Sequence, residues 1–172
     1  LGEEFDKVYL AAIKELSLSP EAVAKHNDMK IVYTPLHGAG VKLVPQSLRN
    51  YGFNNIICVD EQMVLDGNFP TVVSPNPENP EGFYLAVDIA KKEGADFILG
   101  SDPDADRVGI MVNTGNGEFK VLTGNQIGIL LVDYTIGAWK RAGRMPANPT
   151  VLKSIVSSEM ARKVAESNGV AC

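Results

Sequence analysis

The sequence has little of what disulfide-stabilised, membrane-spanning or nucleic-acid-binding proteins need. Only two of its 172 residues are cysteines, Cys58 and Cys172, which is too few for a disulfide framework and predicts a reducing, cytoplasmic setting. The longest apolar run, 127–132, is too short to span a bilayer, and we expect no signal peptide because no basic-then-apolar segment opens the chain. With 16 basic and 21 acidic residues the net charge is −5, so we expect neither a nucleic-acid nor a membrane partner.

The chain does contain enough apolar sequence for one domain and a remainder. Its 45% hydrophobic and 22% charged residues exclude a disordered protein. At about 150 residues per domain, the length provides one core and part of another. The chain opens at Leu1 and ends just after Asn168-Gly169, a helix end and turn that should lead into a further element. We therefore expect a piece of a longer protein.

Alternating strand and helix patterns predict an α/β fold, a three-layer α/β/α sandwich with a mixed, mostly parallel sheet. A hairpin turn at 113–117 ends the first series, and a second series begins after a boundary near 118–123. The predicted helices are 1–16, a short one from Ser19, 41–51, 81–93, 124–141 and 157–167. The predicted strands are 30–34, 55–59, 96–100, 107–112, 118–122 and 151–153.

An acidic loop follows the strand predicted at 96–100. Asp102, Asp104 and Asp106 stand at alternate positions, so in an extended chain their carboxylates point the same way. Ligands gather at the carboxyl ends of strands in open α/β sheets, and a divalent cation removes the repulsion between close carboxylates. Oxygen ligands favour Mg²⁺ or Ca²⁺, and the small number of protein ligands favours Mg²⁺. Arg107, beside the carboxylates, could screen them or hold a phosphate.

Other interpretations of this loop differ in how well they fit the spacing. An EF-hand starting at Asp102 is excluded, since Arg107 and Asn113 occupy the positions that need Gly and Glu. A haloacid-dehalogenase-like phosphatase would use Asp102 as nucleophile, although Asp106 stands where that motif has Thr. A non-enzymatic Ca²⁺-stabilised binding module and a solvated acidic turn also stay open.

At these residues the sequence resembles the α-D-phosphohexomutase family of phosphoglucomutases and phosphomannomutases. The family's metal-loop pattern Asp-x-Asp-x-Asp-Arg is matched at 102–107. Further resemblances lie at 32–40, 69–78 and 122–128, which are similar to the opening and Pro-rich loops of the second domain and to the start of the third. The resemblance implies an α/β/α domain II with a metal-binding loop at 1–118 and a truncated domain III at 119–172.

The resemblance also implies a four-domain enzyme that moves a phosphoryl group between C1 and C6 of a hexose such as glucose or mannose. The transfer would use a first-domain phosphoserine and a bisphosphorylated sugar intermediate. Asp102, Asp104 and Asp106 would be the Mg²⁺ ligands, and Arg107 would contact the substrate or the phosphoserine. Lys153 matches a third-domain lysine that faces the active site and assists proton transfer, with an ordinary surface lysine as the alternative.

Several parts of the family's machinery have no match here, namely its phosphoserine loop, sugar-recognition loop and fourth-domain phosphate loop. The segment 74–77, Ser-Pro-Asn-Pro, echoes the phosphoserine loop without its His, and we interpret it as structural. We expect His37, which lies in a Gly-flanked turn before a helix, to stabilise its own turn, with a phosphate-facing role as the alternative. The partners would be a phosphorylated sugar and the remaining domains of the parent chain. Alone, the chain should bind metal weakly and be inactive.

Overall fold

The computed structural model describes residues 2–172, which divide into two compact units, 2–122 and 123–172. The helices are α1 (Glu3–Lys14), α2 (Pro20–Lys25), α3 (Gly40–Tyr51), α4 (Tyr84–Glu93), α5 (Gly124–Arg141) and α6 (Glu159–Ser167). The strands are β1 (Lys30–Thr34), β2 (Asn55–Cys58), β3 (Phe97–Ser101), β4 (Val108–Asn113) and β5 (Phe119–Leu122). In the described part of the chain, no helix combines the length and apolarity needed to cross a membrane.

The first unit is built on a mixed five-stranded sheet in the order β2-β1-β3-β4-β5. β1 pairs in parallel with both β2 and β3. β4 runs antiparallel to β3 and to β5, as the predicted hairpin requires. The predicted α/β fold with a mixed sheet is therefore confirmed. Because β1 and β3 are parallel neighbours, the loops that follow both strands meet at one edge of the sheet.

Helices cover both faces of this sheet. Side chains alternate along β1, and Val32 joins a buried cluster with Phe83 and with Ala86 and Ala90 of α4. Tyr33 is on the opposite face, where the start of α3 comes so close that a Cβ on Gly40 would lie 2.3 Å from the Tyr33 hydroxyl oxygen. Three layers result, with α4 on one side and α3 on the other.

Some element boundaries differ from the sequence-based expectation. The helix expected over 81–93 starts as a 3₁₀ turn, Pro80–Phe83, and becomes α-helical at Tyr84. The strand expected at 151–153 is wrong, because that segment is irregular and only Thr150 makes a single bridge, to Ala171. A strand needs a partner along its length. Within residues 2–172, this segment has no β-bridge partner other than Ala171. The expected helical start at Leu1 lies outside the described residues.

The second unit consists of two helices and their connecting segment. A capping box begins α5, in which the Thr123 hydroxyl accepts from the Gln126 backbone N–H and the Gln126 side chain accepts from that of Thr123. Ser158 caps α6 in the same manner, accepting from the Met160 N–H. The two helices pack through a small core that includes Ile136 and Ala165.

Candidate active site

The acidic loop connects β3 to β4 at the carboxyl end of β3, the edge where the sequence predicted a site. It is a tight turn rather than an extended segment: the Ala105 N–H donates to the Asp102 carbonyl at 3.0 Å, and Ala105 has a left-handed φ of 59°. The sequence predicts that an extended chain aligns the carboxylates of alternate residues. That explanation is wrong, because the chain turns here. The turn itself brings them together.

The loop is seated on the turn that follows β1. The Ala39 N–H donates to the Pro103 carbonyl at 2.8 Å. A Cβ on Gly38 would lie 2.3 Å from the Cα of Pro103, so only glycine permits this approach. The two loops that follow the parallel strands β1 and β3 are thus locked together.

The carboxylates of Asp102, Asp104 and Asp106 converge, with one oxygen of each within 4.8 Å of the others. Asp102 is fully buried, whereas Asp104 and Asp106 are exposed. A donor set made only of carboxylate oxygens suits a hard cation such as Mg²⁺, and ligands on one side leave coordination positions for water or a phosphoryl oxygen. The residues present therefore fit the implied Mg²⁺.

Arg107 holds Asp102 at both carboxylate oxygens. Its Nε donates to Oδ2 at 2.7 Å, and its backbone N–H donates to Oδ1 at 2.9 Å. Burial alone would raise the pKa of Asp102, but these hydrogen bonds outweigh it and keep the pKa below the usual value. Asp106 behaves oppositely, because the neighbouring charges of Asp104 and Asp102 raise its pKa. A bound cation would relieve this repulsion.

An open cleft of about 520 Å³ lies beside the loop and is lined by Ser74, Pro75, Asn76, Pro103, Asp104 and Arg107. The segment 74–77, interpreted from the sequence as structural, also borders this cleft. Pro77 has a structural role, since it is buried and its carbonyl approaches Gly109 of β4. Ser74 and Asn76 line the same cleft as Asp104 and Arg107.

His37 is buried and does not line the cleft. Its Nδ1 lies 2.8 Å from the Val64 carbonyl, which can only accept, so Nδ1 carries the proton. Its Nε2 lies 2.8 Å from the Thr71 hydroxyl. In the neutral ring Nε2 has no proton and accepts from this hydroxyl, which itself accepts from the Gln62 amide. These bonds tie the Pro-rich loop to the turn after β1, which is the loop-stabilising role expected of His37.

Lys153 belongs to the second unit, in the irregular segment before α6. Its Nζ donates to the Glu159 carboxylate at 2.8 Å and to the Ser157 carbonyl at 3.2 Å, and only 15% of its side chain is exposed. It borders a cavity of about 290 Å³ that also contacts the first turn of α5. Lys153 is thus fixed in position, and its role in proton transfer stays a prediction.

Comparisons with known proteins agree with this geometry. The family model described as phosphoglucomutase/phosphomannomutase, alpha/beta/alpha domain II, matches residues 7–116. The phosphoglucomutases of Staphylococcus aureus (strain N315) and Staphylococcus haemolyticus (strain JCSC1435) are 40% and 38% identical over 144 residues, 84% of this chain. The chain spans about a quarter of the length of these relatives, 25% and 26% respectively.

Solved structures show the same fold. A putative phosphomannomutase from Thermus thermophilus superposes with a TM-score of 0.70 at 20% identity, over 96% of this chain and 35% of that one. A phosphoglucomutase/phosphomannomutase family protein from Burkholderia thailandensis gives a TM-score of 0.65 at 17% identity, over 84% of this chain and 28% of that one. These likenesses support the α/β architecture described above.

Proposed function

The chain belongs to the phosphoglucomutase/phosphomannomutase family, and we propose on that premise that it supplies the metal-binding part of a phosphohexomutase. Residues 1–118 would be the second domain and 119–172 the start of the third. The whole enzyme would interconvert sugar 1-phosphates and 6-phosphates, of glucose or mannose, through a phosphoserine and a bisphosphorylated sugar. We propose a cytoplasmic setting, which the free thiols of Cys58 and Cys172 support.

One observation carries this proposal: three carboxylates converge within 4.8 Å beside an open cleft. Asp102, Asp104 and Asp106 would hold Mg²⁺, which when bound neutralises charge on a phosphoryl group during its transfer. Asp102, buried and fixed by Arg107, sets the position of the site, while the two exposed carboxylates adjust to the cation.

Arg107 would act on the phosphoryl group directly. Its Nε is engaged by Asp102, and its side chain is 56% exposed beside the cleft. The remaining guanidinium N–H groups can therefore donate to phosphoryl oxygens while the Nε contact fixes the plane of the group. Lys153, which Glu159 and the Ser157 carbonyl hold in the second unit, would move the proton of the attacking or leaving hydroxyl.

The alternatives have less support. A phosphatase that uses Asp102 as nucleophile would have Asp106 where that motif has Thr, and the family match favours the mutase. Formation of a beryllium-fluoride adduct on Asp102 would favour the phosphatase. Tight Ca²⁺ binding without Mg²⁺ binding would favour a calcium-stabilised module.

The metal site can be tested on the chain itself by NMR. We expect Mn²⁺ to broaden the resonances of Asp102, Asp104 and Asp106 selectively, and excess Mg²⁺ to reverse the broadening. Asp104→Asn should weaken the effect because it removes a charged ligand. Asp88→Asn, the same change at an exposed position on α4, should leave it intact. Selective broadening that is as strong in Asp104→Asn as in the parent chain would contradict the assignment.

Mutase activity can be tested in a chimera. In the Staphylococcus aureus phosphoglucomutase, the segment of 144 aligned residues would be replaced by the matching part of this chain. We expect the chimera to convert glucose 1-phosphate to glucose 6-phosphate in a coupled assay, and Asp104→Asn to abolish this activity. A folded chimera that is inactive, or whose activity survives Asp104→Asn, would refute the proposed function.

A further inference from the structure

The proposed function uses only one wall of the cleft. Asp104 and Arg107 come from the acidic loop, whereas Ser74 and Asn76, which line the same cleft, come from the Pro-rich loop. Both of these side chains are half-buried, so neither is an ordinary surface group. Their hydrogen bonds show what they can offer to a ligand.

Ser74 is oriented by a neighbour in its own loop. The Asn79 side-chain amide donates to the Ser74 hydroxyl oxygen at 3.2 Å. An oxygen that accepts this bond keeps its own proton, which remains free to rotate and donate. Ser74 therefore presents a hydrogen-bond donor at the cleft.

Asn76 is fixed through its carbonyl oxygen. Oδ1 accepts from the backbone N–H of Glu78 at 3.0 Å. Because this bond holds the oxygen against the loop backbone, the Nδ2 group is the end that is turned away from it. Within residues 2–172, no acceptor pairs with the Nδ2 group. Asn76 thus adds two N–H donors to that of Ser74.

The loop that carries these donors is held at several points. Pro77 is buried against β4, where a Cβ on Gly109 would lie 2.1 Å from the Pro77 carbonyl oxygen. Thr71 is bonded to His37 and to Gln62. Donors on so well anchored a segment are placed before a ligand arrives, which lowers the entropic cost of binding.

We propose that Ser74 and Asn76 donate hydrogen bonds to the phosphoryl oxygens of a phosphate monoester in the cleft that Arg107 also lines. The inference rests on the proposed function and extends it to a second wall. All three side chains offer donors there, and the phosphoryl oxygens of a monoester dianion, the main form above about pH 6, only accept. A sugar hydroxyl, which donates as well as accepts, matches this donor set less well. Asp104, the one carboxylate among the residues that line the cleft, is already assigned to the metal.

Asn76→Asp is the most informative variant. It keeps the carbonyl-type oxygen that accepts from the Glu78 N–H, so the turn is preserved, but it replaces both donors by a negative charge. Asn54→Asp is the matched control, because this exposed residue precedes β2 at the opposite edge of the sheet. Ser74→Ala is paired with Val73→Ala, its neighbour, whose side chain is 97% exposed.

The measurement is an NMR titration of the 172-residue chain with inorganic phosphate in buffer containing Mg²⁺. We expect the Asn76 side-chain amide, the Ser74 backbone amide and the Arg107 Nε–H to shift together. The apparent Kd should rise about tenfold or more in Asn76→Asp and about threefold in Ser74→Ala. Both control variants should stay within about twofold of the parent chain.

Three results would overturn the inference: no phosphate-dependent shift at these groups, an unchanged Kd in Asn76→Asp, or equal shifts produced by glucose alone. The last would mean that the wall recognises hydroxyls instead of phosphate. Mn²⁺ broadening at Asp104, measured on the same chain in buffer without Mg²⁺, separates the two proposals. If broadening occurs without the phosphate effects, only this inference fails, and if broadening is absent, the proposed function fails.

Discussion

The contact between the Pro-rich loop and β4 can be tested by Gly109→Ala. Gly109 lies within β4 and pairs with Gly100 of β3, and its backbone needs no left-handed conformation. The added methyl group is therefore the whole perturbation. It would lie 2.1 Å from the Pro77 carbonyl oxygen and 2.8 Å from the Pro77 Cβ, far inside ordinary van der Waals contact. Either the loop or the strand must shift by about an ångström.

The expected effect is a balance of two opposing contributions. Overpacking a well-packed site costs about 1–3 kcal/mol, because neighbouring atoms must leave their preferred positions. Replacing glycine by alanine returns about 0.5–1 kcal/mol by restricting the unfolded chain. We therefore expect Gly109→Ala to lower the free energy of unfolding by about 1–2 kcal/mol.

Urea unfolding measures this change as a lower midpoint at an unchanged m-value. The control is Gly67→Ala in the same loop, where nothing lies within 4 Å of the new Cβ and the change should stay within about 0.5 kcal/mol. The affinity for phosphate should also fall in Gly109→Ala, because Ser74 and Asn76 lie on the displaced segment. A Gly109→Ala chain that is as stable as the parent would refute the close contact with Pro77.

Three further predictions concern other parts of the molecule. Burial raises the pKa of Tyr33 to about 12, so in a spectrophotometric titration one of the five tyrosines should ionise last, and Tyr33→Phe should remove that step. Because the folded pKa exceeds the unfolded value of 10.0, Tyr33's contribution to stability is intact below that pH and lost as pH rises towards 12. Gly128→Ala in α5, with nothing within 4 Å, should raise the free energy of unfolding by about 0.5–1 kcal/mol, measured in urea. In a chimera whose exchanged segment is extended to residue 172 of this chain, Lys153→Met should lower kcat about a hundredfold, and Glu159→Gln should have a smaller effect. An unchanged kcat in Lys153→Met would contradict its proton-transfer role.

The elements that the sequence predicted are those whose signals are local. The apolar run of β1, the periodicity of α3 and the acidic loop after β3 each depend on neighbouring residues, and each appears where expected. The prediction of a strand at 151–153 is wrong because a strand also depends on a partner that is distant in sequence. An apolar, β-favouring segment becomes a strand only beside a partner, and Ala171 provides a single bridge.

The second wall of the cleft could not be predicted, because contacts between distant residues create it. Pro77 meets Gly109, and His37 reaches Val64 and Thr71, over sequence separations that no periodicity reveals. The segment 74–77 therefore looked like a rigid loop and nothing more. One available signal was the pair of polar residues, Ser74 and Asn76, set between prolines in a loop that connects two elements of an α/β sheet.

The acidic loop shows how a correct expectation can rest on an incorrect mechanism. Alternate spacing in an extended chain would make the three carboxylates equivalent, but the turn at Ala105 buries Asp102 and leaves Asp104 and Asp106 exposed. Arg107 can reach back to Asp102 only because of that turn, and its two hydrogen bonds keep a buried carboxylate ionised. Were the loop extended, Arg107 would lie beside Asp106 alone, and no carboxylate would be fixed. The turn thus creates both a fixed carboxylate and an oriented guanidinium, the two groups to which the proposed function assigns metal and phosphoryl binding.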